Sequence, residues 1–278
     1  MAVTPYKPTT PGRRGMTTQD FSKVTAKRPL KSLTAVKRRT SGRNNTGKIT
    51  VRHRGGGAKK FYRIMNFSQL DIKKATVEAI EYDPNRSARI ARILDENNNY
   101  HYIIAGSGMT VGTTISVGEE SAIENGNRLA LKDMPVGSFI HSIEIQAGKG
   151  AQMVRSAGAK AQLTAKEGNK ALIKLPSGEI RTVHINCMAT LGVVSNEQHQ
   201  NIKLGSAGRK RHLGFRPAVR GVVMNAVDHP HGGGDGGSHG PGGHPKTPWG
   251  KPTLGYKTRR NKRTNKSIIK SRHQAKRK

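Results

Sequence analysis

The sequence contains a single cysteine, Cys187, and a single tryptophan, Trp249. One thiol excludes an intramolecular disulfide framework and a cysteine-rich zinc site. Aromatic residues make up 4% of the chain and apolar residues 33%, too little for one core running through all 278 residues. No apolar run approaches the roughly 18 residues of a bilayer-spanning helix. The first residues, Met1 to Lys7, lack the apolar stretch of a secretory signal. Acidic residues are scarce as well: 17 Asp and Glu face 50 Lys and Arg, for a formal net charge of +33. A small domain ordinarily carries a net charge of about 2–8 in magnitude. These deficits predict a soluble protein of a reducing compartment with a polyanionic partner.

The charge is unevenly placed. Residues 1–70 carry +16, residues 71–197 carry 0 and residues 198–278 carry +17. A neutral middle predicts a segment that folds alone, between basic ends that gain order as phosphates neutralise them. The ends also lack the alternation of folded domains. Residues 1–47 are rich in Pro, Thr, Lys and Arg, with turn cues at Thr10-Pro11-Gly12 and Ser41-Gly42-Arg43-Asn44-Asn45. Residues 205–278 mix basic clusters with glycine, proline and histidine. Extended segments of this kind reach between nucleic-acid helices; the plainer alternative is a disordered tail without a role.

The middle shows short β-type runs separated by turn chemistry. The runs are Phe61 to Met65, Ala75 to Tyr82, Arg89 to Leu94, Tyr100 to Ile104, and the alternating Val111, Thr113, Ile115 and Val117. Asp83-Pro84-Asn85 and Asp95 to Asn99 read as turns. About five strands suit a small OB-type barrel. A second set begins with Leu129 to Leu131 and continues with Phe139, His141, Ile143 and Ile145 on one face of a strand. Ala161 to Ala165, Ala171 to Leu175 and Ile180 to Ile185 complete it, in the manner of an SH3-like barrel. The sequence therefore predicts a mainly β protein. Its expected order is a basic N-terminal extension (1–47), an OB-type RNA-binding barrel (48–120), an SH3-like barrel (121–200) and a basic Gly/His-rich C-terminal extension (201–278).

Several motifs join cations to glycine. Arg52-His53-Arg54-Gly55-Gly56-Gly57 leads to Lys59 and Lys60. Glycine admits positive φ and close approach of the backbone to a ligand, and arginine forks onto phosphate or stacks on a base. A flexible linker is the alternative. Lys149 and Arg155 lie in a small-residue loop, Gly148 to Gly158, that has no phosphate-loop pattern; an ordinary barrel loop is its plain reading. Arg209, Arg211, Arg216 and Arg220 surround Phe215, a ring that either stacks on a base or packs on protein. His229, His231, His239 and His244 fall in a glycine-rich stretch without the spacing of a structural zinc site. The dinucleotide-type spacing Gly232, Gly234, Gly237 has no strand before it and reads as chance. Trp249 and Lys251 continue this surface, and Arg259 and Arg260 begin a polybasic tail. Cys187, with His184 three residues before it, reads as a buried core thiol.

These motifs resemble the large-subunit ribosomal protein two family, in its bacterial or organellar form. The matching stretches run from end to end: Tyr6 to Arg14, Gly42-Arg43-Asn44-Asn45, Val51 to Gly57, Ile80 to Ala88, Arg155 to Gly158, Leu175 to Glu179, Val219 to Val222, Asn225 to Gly234 and Thr247 to Pro252. The resemblance implies the two barrels and two rRNA-binding extensions, and it adds Arg43 and Arg86 to the candidate RNA contacts. It implies binding to large-subunit rRNA near the peptidyl-transferase centre, with roles in subunit association and tRNA placement. Small-subunit rRNA, tRNA and neighbouring ribosomal proteins are further expected partners; a membrane and a small-molecule substrate are not. No cofactor is expected beyond structural Mg2+ that accompanies the rRNA. The expected location is the ribosome, in the cytoplasm or in an organelle. His229 matches the family histidine once proposed to take part in peptide-bond formation. The chain departs from the family pattern at Gly236-Gly237-Ser238-His239-Gly240, where the family often has a basic residue.

Three function classes remain in play at this point. The leading one is a structural, non-enzymatic RNA-binding protein. The second makes His229 a general base, a role suited to a group that titrates near neutrality. The third is a DNA-compacting protein, which has no need of two neutral barrels.

Overall fold

The computed structural model describes residues 3–119, 121–235 and 243–275. His239, the glycine-rich stretch 236–240 with Gly237, and the final Lys276, Arg277 and Lys278 lie outside the described residues. The chain divides into two units. The first comprises Met1–Arg38, Lys59–Ala207 and Asn265–Lys278; the second comprises Arg39–Ala58 and Gly208–Thr264.

All the strands among the described residues lie in the first unit. β1 (Val3–Pro5) pairs antiparallel with β2 (Thr17–Gln19), and β3 (Thr34–Val36) with β4 (Phe61–Arg63). β5 (Lys74–Glu81), β6 (Ile90–Asp95), β7 (Tyr100–Ile104) and β8 (Thr114–Ser116) form an antiparallel sheet in the order β7-β6-β5-β8. The alternation in β5 is that of a half-buried strand: Ala75 and Val77 are buried between exposed Lys74, Thr76 and Glu78. A register shift between Val77 and Ala79 then leaves Ala79, Ile80 and Glu81 all buried. The β6–β7 hairpin closes on Asp95, whose Oδ1 accepts from the Asn97 and Asn99 amides at 2.9 and 2.7 Å. The Asn99 amide is the chief reason that this carboxyl is held below its usual range.

β9 (Arg128–Ala130), β10 (Phe139–His141), β11 (Ala161–Glu167), β12 (Lys170–Lys174), β13 (Ile180–His184), β14 (Met188–Leu191) and β15 (Ile268–Lys270) form the larger sheet. Its order is β15-β13-β12-β11-β10-β14-β9. The molecule is mainly β, and its two main sheets fit the OB-type and SH3-like barrels. Each barrel has its own core. Ile72, Val77, Ile93, Ile103 and Ile115 fill the first; Leu131, Met134, Ile140, Leu163, Ile173 and Cys187 are among those that fill the second. Fully burying a side chain of this size contributes roughly 1.5–3 kcal/mol. A third cluster joins the barrels: Val194, from beyond β14, packs with Met65, Ile90, Tyr102 and Ile104.

Four local expectations change. The run from Phe139 to Ile145 is not one strand with a shared face. β10 stops at His141 and Ser142 takes φ +50°, so Ile140 and Ile143 are both buried while Phe139 is 45% exposed. The alternation from Val111 to Val117 shortens to β8, because Gly112 sits in a turn at φ +86° and Val111 is exposed. β14, between β10 and the edge strand β9 of the larger sheet, and β15, in the stretch read as a tail, were not anticipated as strands. Residues before position 38, read as lacking the patterning of a fold, are tied to the first barrel. The Thr25 amide donates to the Ile80 carbonyl at 2.9 Å, and the Leu30 amide donates to the Tyr102 hydroxyl at 2.8 Å.

The second unit is built otherwise. It holds 17 Lys and Arg against two acids, Asp228 and Asp235. Among its described residues no apolar side chain is buried; His229, 7% exposed, is its buried side chain. Its order comes from backbone hydrogen bonds, isolated bridges such as Arg54↔Phe215, and glycines at positive φ.

Candidate nucleic-acid interface

In the first unit, cations from both barrels meet at Phe67. The Arg155 guanidinium lies 4.7 Å from the ring centroid and that of Arg86 lies 5.8 Å from it. Arg86 is fixed by an ion pair at 2.7 Å to Asp83, a fully buried carboxylate in the turn that ends β5. Arg155 Nη1 donates to the Ala151 carbonyl at 3.1 Å, and the Ala151 amide donates to the Phe67 carbonyl at 2.9 Å. Ser87 Oγ accepts from the Ala157 amide at 3.0 Å. Gly150 takes φ +78°, and a Cβ there would come within 3.0 Å of the Phe67 backbone.

The loop carrying Lys149 is held from beneath by Glu144, which is fully buried. Its carboxylate accepts from the amides of Gly148, Gly150 and Met188 at 3.0–3.1 Å and from Arg128 Nη2 at 3.1 Å. Arg128 is also fully buried, and burial pulls its guanidinium below its usual range. A buried charge of this kind is tolerated only when paired and hydrogen-bonded. The pair thus fixes the loop, and Lys149 stays exposed with its ammonium 3.2 Å from Gln146 Oε1. Lys59 and Lys60 precede β4, with the Lys59 ammonium 5.5 Å from the Phe61 centroid.

In the second unit, two basic segments far apart in sequence interlock. The Gly55 amide donates to the Gly214 carbonyl (3.0 Å), Ala58 to His212 (2.9 Å) and Arg216 to His53 (3.0 Å). Gly57, at φ +92°, has no room for a Cβ, which would lie 2.8 Å from the His212 carbonyl oxygen and 2.9 Å from the Gly214 nitrogen. Gly56, at φ +65°, faces the Arg211 guanidinium. Arg211 Nη1 donates to the Phe215 carbonyl at 3.2 Å. The Arg54 guanidinium lies 4.0 Å from the Phe215 centroid, so this ring packs on protein. Arg52 stands 4.8 Å from Trp249, a ring 71% exposed. Arg209 lies half-buried in the short helix Ala207–His212. Arg43 bridges to Ile49, the exposed Arg220 precedes a 3-10 turn, and Lys251 bonds through its backbone to Thr247. Arg259 Nη2 donates to Thr264 Oγ1 at 2.7 Å, and Arg260 is exposed.

The histidines act as hydrogen-bond acceptors. His229 Nδ1 accepts from the His231 amide at 3.0 Å, and His231 Nε2 accepts from the Lys246 amide at 2.8 Å. A Cβ on Gly221 would lie 2.5 Å from the His229 ring. With Nδ1 engaged as an acceptor, a neutral His229 carries its proton on Nε2 and presents a donor there rather than a base. Among the described residues no group of three His, Cys, Asp or Glu is placed to hold a metal ion. Cys187 is fully buried, and burial pushes its thiol up to about 11, which disfavours the nucleophilic thiolate. Phe67 and Phe61 belong to the candidate interface by position, and neither was singled out from the sequence. The signal for Phe61 was its position directly after Lys59 and Lys60; for Phe67 there was none.

Two small β-barrels that bring cations together on one ring, and a second unit whose 17 cations face two acids, define a nucleic-acid-binding protein. Residues 30–117 match the family model described as Ribosomal Proteins L2, RNA binding N-terminal domain, and residues 124–250 match Ribosomal Proteins L2, C-terminal domain. Together the matches cover well over half of the 278 residues. The chain belongs to the ribosomal protein L2 family, structural RNA-binding proteins of the large ribosomal subunit.

Proposed function

We infer that the chain grips large-subunit rRNA through the cations around Phe67 and through the interlocked basic segments of the second unit. The observation that carries this reading is the meeting of Arg86, from the first barrel, with Arg155, from the second, on the Phe67 ring, to whose backbone the loop carrying Lys149 is hydrogen-bonded. Two cations supplied by two barrels to one ring favour a phosphate path that crosses from one barrel to the other. Arg43, Arg52, Arg54, Arg209, Arg216 and Arg220 extend the contact in the second unit, and Mg2+ accompanies the rRNA. The finer placement follows from the family resemblance. The site lies near the peptidyl-transferase centre, and the protein supports subunit association and tRNA placement, with small-subunit rRNA, tRNA and neighbouring ribosomal proteins in reach. The ribosome concerned is cytoplasmic or organellar.

The test is crosslinking of the full chain to RNA in cell extract, followed by binding of an Arg86→Gln/Arg155→Gln variant to the recovered rRNA. Crosslinks confined to duplex DNA, or unchanged affinity in the variant, would remove this reading. The catalytic alternative for His229 is weakened by its occupied Nδ1. Assembled His229→Ala particles should keep near-normal single-turnover peptide transfer across pH 6–8.5, the loss appearing instead in the yield of intact particles. A drop of about a hundredfold in the chemical step, within the range of general acid–base catalysis, would restore the catalytic reading.

A further inference from the structure

β3 and β4 form a separate two-stranded pair, with Ala35 opposite Tyr62 and Val36 opposite Phe61. Such a pair is at best marginally stable in water by itself, yet this one exposes its apolar side chains. Phe61 is 42% exposed, Tyr62 37%, Ile64 48% and Val36 73%. Side chains alternate across a strand, so Phe61 and Val36 share one face and Tyr62 takes the other. The backbone beneath the rings is fixed. The Phe61 carbonyl accepts from Asn85 Nδ2 at 2.7 Å and from Arg63 Nη1 at 3.0 Å.

The flanking residues are cationic. Residues 31–38 and 59–64 contain Lys31, Lys37, Arg38, Lys59, Lys60 and Arg63 and no acid. Of these only Arg63 is buried. Lys59 lies against the Phe61 ring, and Lys37 Nζ donates to Asn85 Oδ1 at 3.1 Å. Exposed rings set among lysines, in segments that hold no acid, suit a ligand that is aromatic and anionic at once. Single-stranded RNA is such a ligand, since its unpaired bases stack on aromatic side chains while its phosphates meet cations. Double helices do not fit, because their bases are already stacked. A basic protein partner is disfavoured by like charge.

We propose that Phe61 and Tyr62 are stacking platforms for unpaired rRNA bases, with Lys37, Lys59 and Lys60 meeting the adjoining phosphates. The proposal rests on the reading of the chain as an rRNA binder and adds a contact that reads bases rather than backbone.

The experiment uses the full chain and large-subunit rRNA transcripts. Phe61→Ala and Tyr62→Ala should each weaken binding by roughly 5- to 150-fold, the range for loss of one base–aromatic stack. The salt slope should stay that of the parent protein. Phe61→Tyr and Tyr62→Phe, which keep a ring, should bind like the parent, whereas Phe61→Leu, which keeps bulk alone, should not. Base-specific chemical probing should show unpaired nucleotides protected by the parent and reactive with the alanine variants. Circular dichroism checks the fold of each variant. If the parent chain itself shows no preference for rRNA, the underlying functional reading fails. If the parent binds but the folded alanine variants bind equally well and protect the same bases, the stacking assignment fails and the functional reading survives. Normal RNA binding with fewer assembled particles would make this surface a protein contact and would equally overturn the assignment.

Discussion

In the first unit Arg128 is fully buried and meets Glu144, and apolar clusters carry the fold. In the second unit Arg52 and Arg54 lie on Trp249 and Phe215, no apolar side chain among the described residues is buried, and two acids face 17 cations. The first unit has 15 acids against 33 Lys and Arg and pairs some of its charge within the fold, as at Arg128 and Glu144, leaving other cations at the surface. The second has too few acids to do so. Its order comes from close backbone approach, made possible by glycine, and from imidazoles that accept amide hydrogens. One part is thus a folded scaffold by ordinary burial, and the other is a set of basic segments whose charge is compensated when RNA binds.

The largest effect expected from this contrast is on RNA affinity. If about ten phosphates are neutralised, log K should fall against log salt with a slope of about −7 to −9, or about 10⁴–10⁵-fold between 50 and 200 mM. Replacing Arg52, Arg54, Arg211 and Arg216 by Gln should flatten the slope by about 3–4 and leave the thermal transition of the barrels unmoved. Binding indifferent to salt would break the comparison at its base.

Next in size is the buried pair. Glu144→Ala leaves Arg128 without its carboxylate and three backbone amides without an acceptor, and should cost about 3–5 kcal/mol in denaturant unfolding of the barrels. Hydrogen exchange in the second unit should be unchanged. Equal loss of protection in both units would show that they do not differ as described.

A third test uses pH. His141 is 1% exposed, with Nδ1 3.0 Å from Ser142 Oγ, and burial together with the nearby Arg128 charge lowers its pKa from 6.5 to about 3. The unfolded chain therefore binds this proton below pH 6.5 while the folded chain does not, so stability falls as pH drops from 6.5 toward 3. At pH 5 the contribution amounts to about 2 kcal/mol. A His141→Asn variant should show a flatter pH dependence over this window. An identical slope in the variant would assign the acid sensitivity to other groups.

The smallest effect is local to the second unit. Gly57→Ala introduces a Cβ against backbone at a positive φ, which costs about 1–2 kcal/mol from conformation alone. Exchange of the Gly55, Ala58 and Arg216 amides should quicken, and Cys187 should remain closed to alkylation. Labelling of Cys187 in the variant would tie the core of the second barrel to a segment that this contrast treats as separate.

Local chemistry made parts of the fold legible. Tyr100 to Ile104 is the strand that its β-type residues and the Asp95 to Asn99 turn predicted, because a hairpin is specified by adjacent residues. The burial of Cys187 followed in the same way from its place after an apolar strand. The strand from Phe139 failed at Ser142, where contact with Val154 and Met153 bends the chain. At the interface, the basic residues were legible by type, but their grouping was not. Nothing near Phe67 in sequence announces Arg155, and nothing near Gly55 announces Gly214.

The sequence alone determined that the chain is cationic at both ends and neutral between, that its middle is β-structured, and that it carries the motifs of its family. These properties belong to composition, to short-range periodicity and to turn residues. Only the tertiary structure decided that Arg86 and Arg155 gather on Phe67, that Glu144 holds the Lys149 loop from within the core, and that two glycine-rich basic segments interlock. The physical reason is that such groupings arise from contacts between residues tens to more than a hundred positions apart, whose register is set by burial and by backbone hydrogen bonds rather than by neighbouring residues.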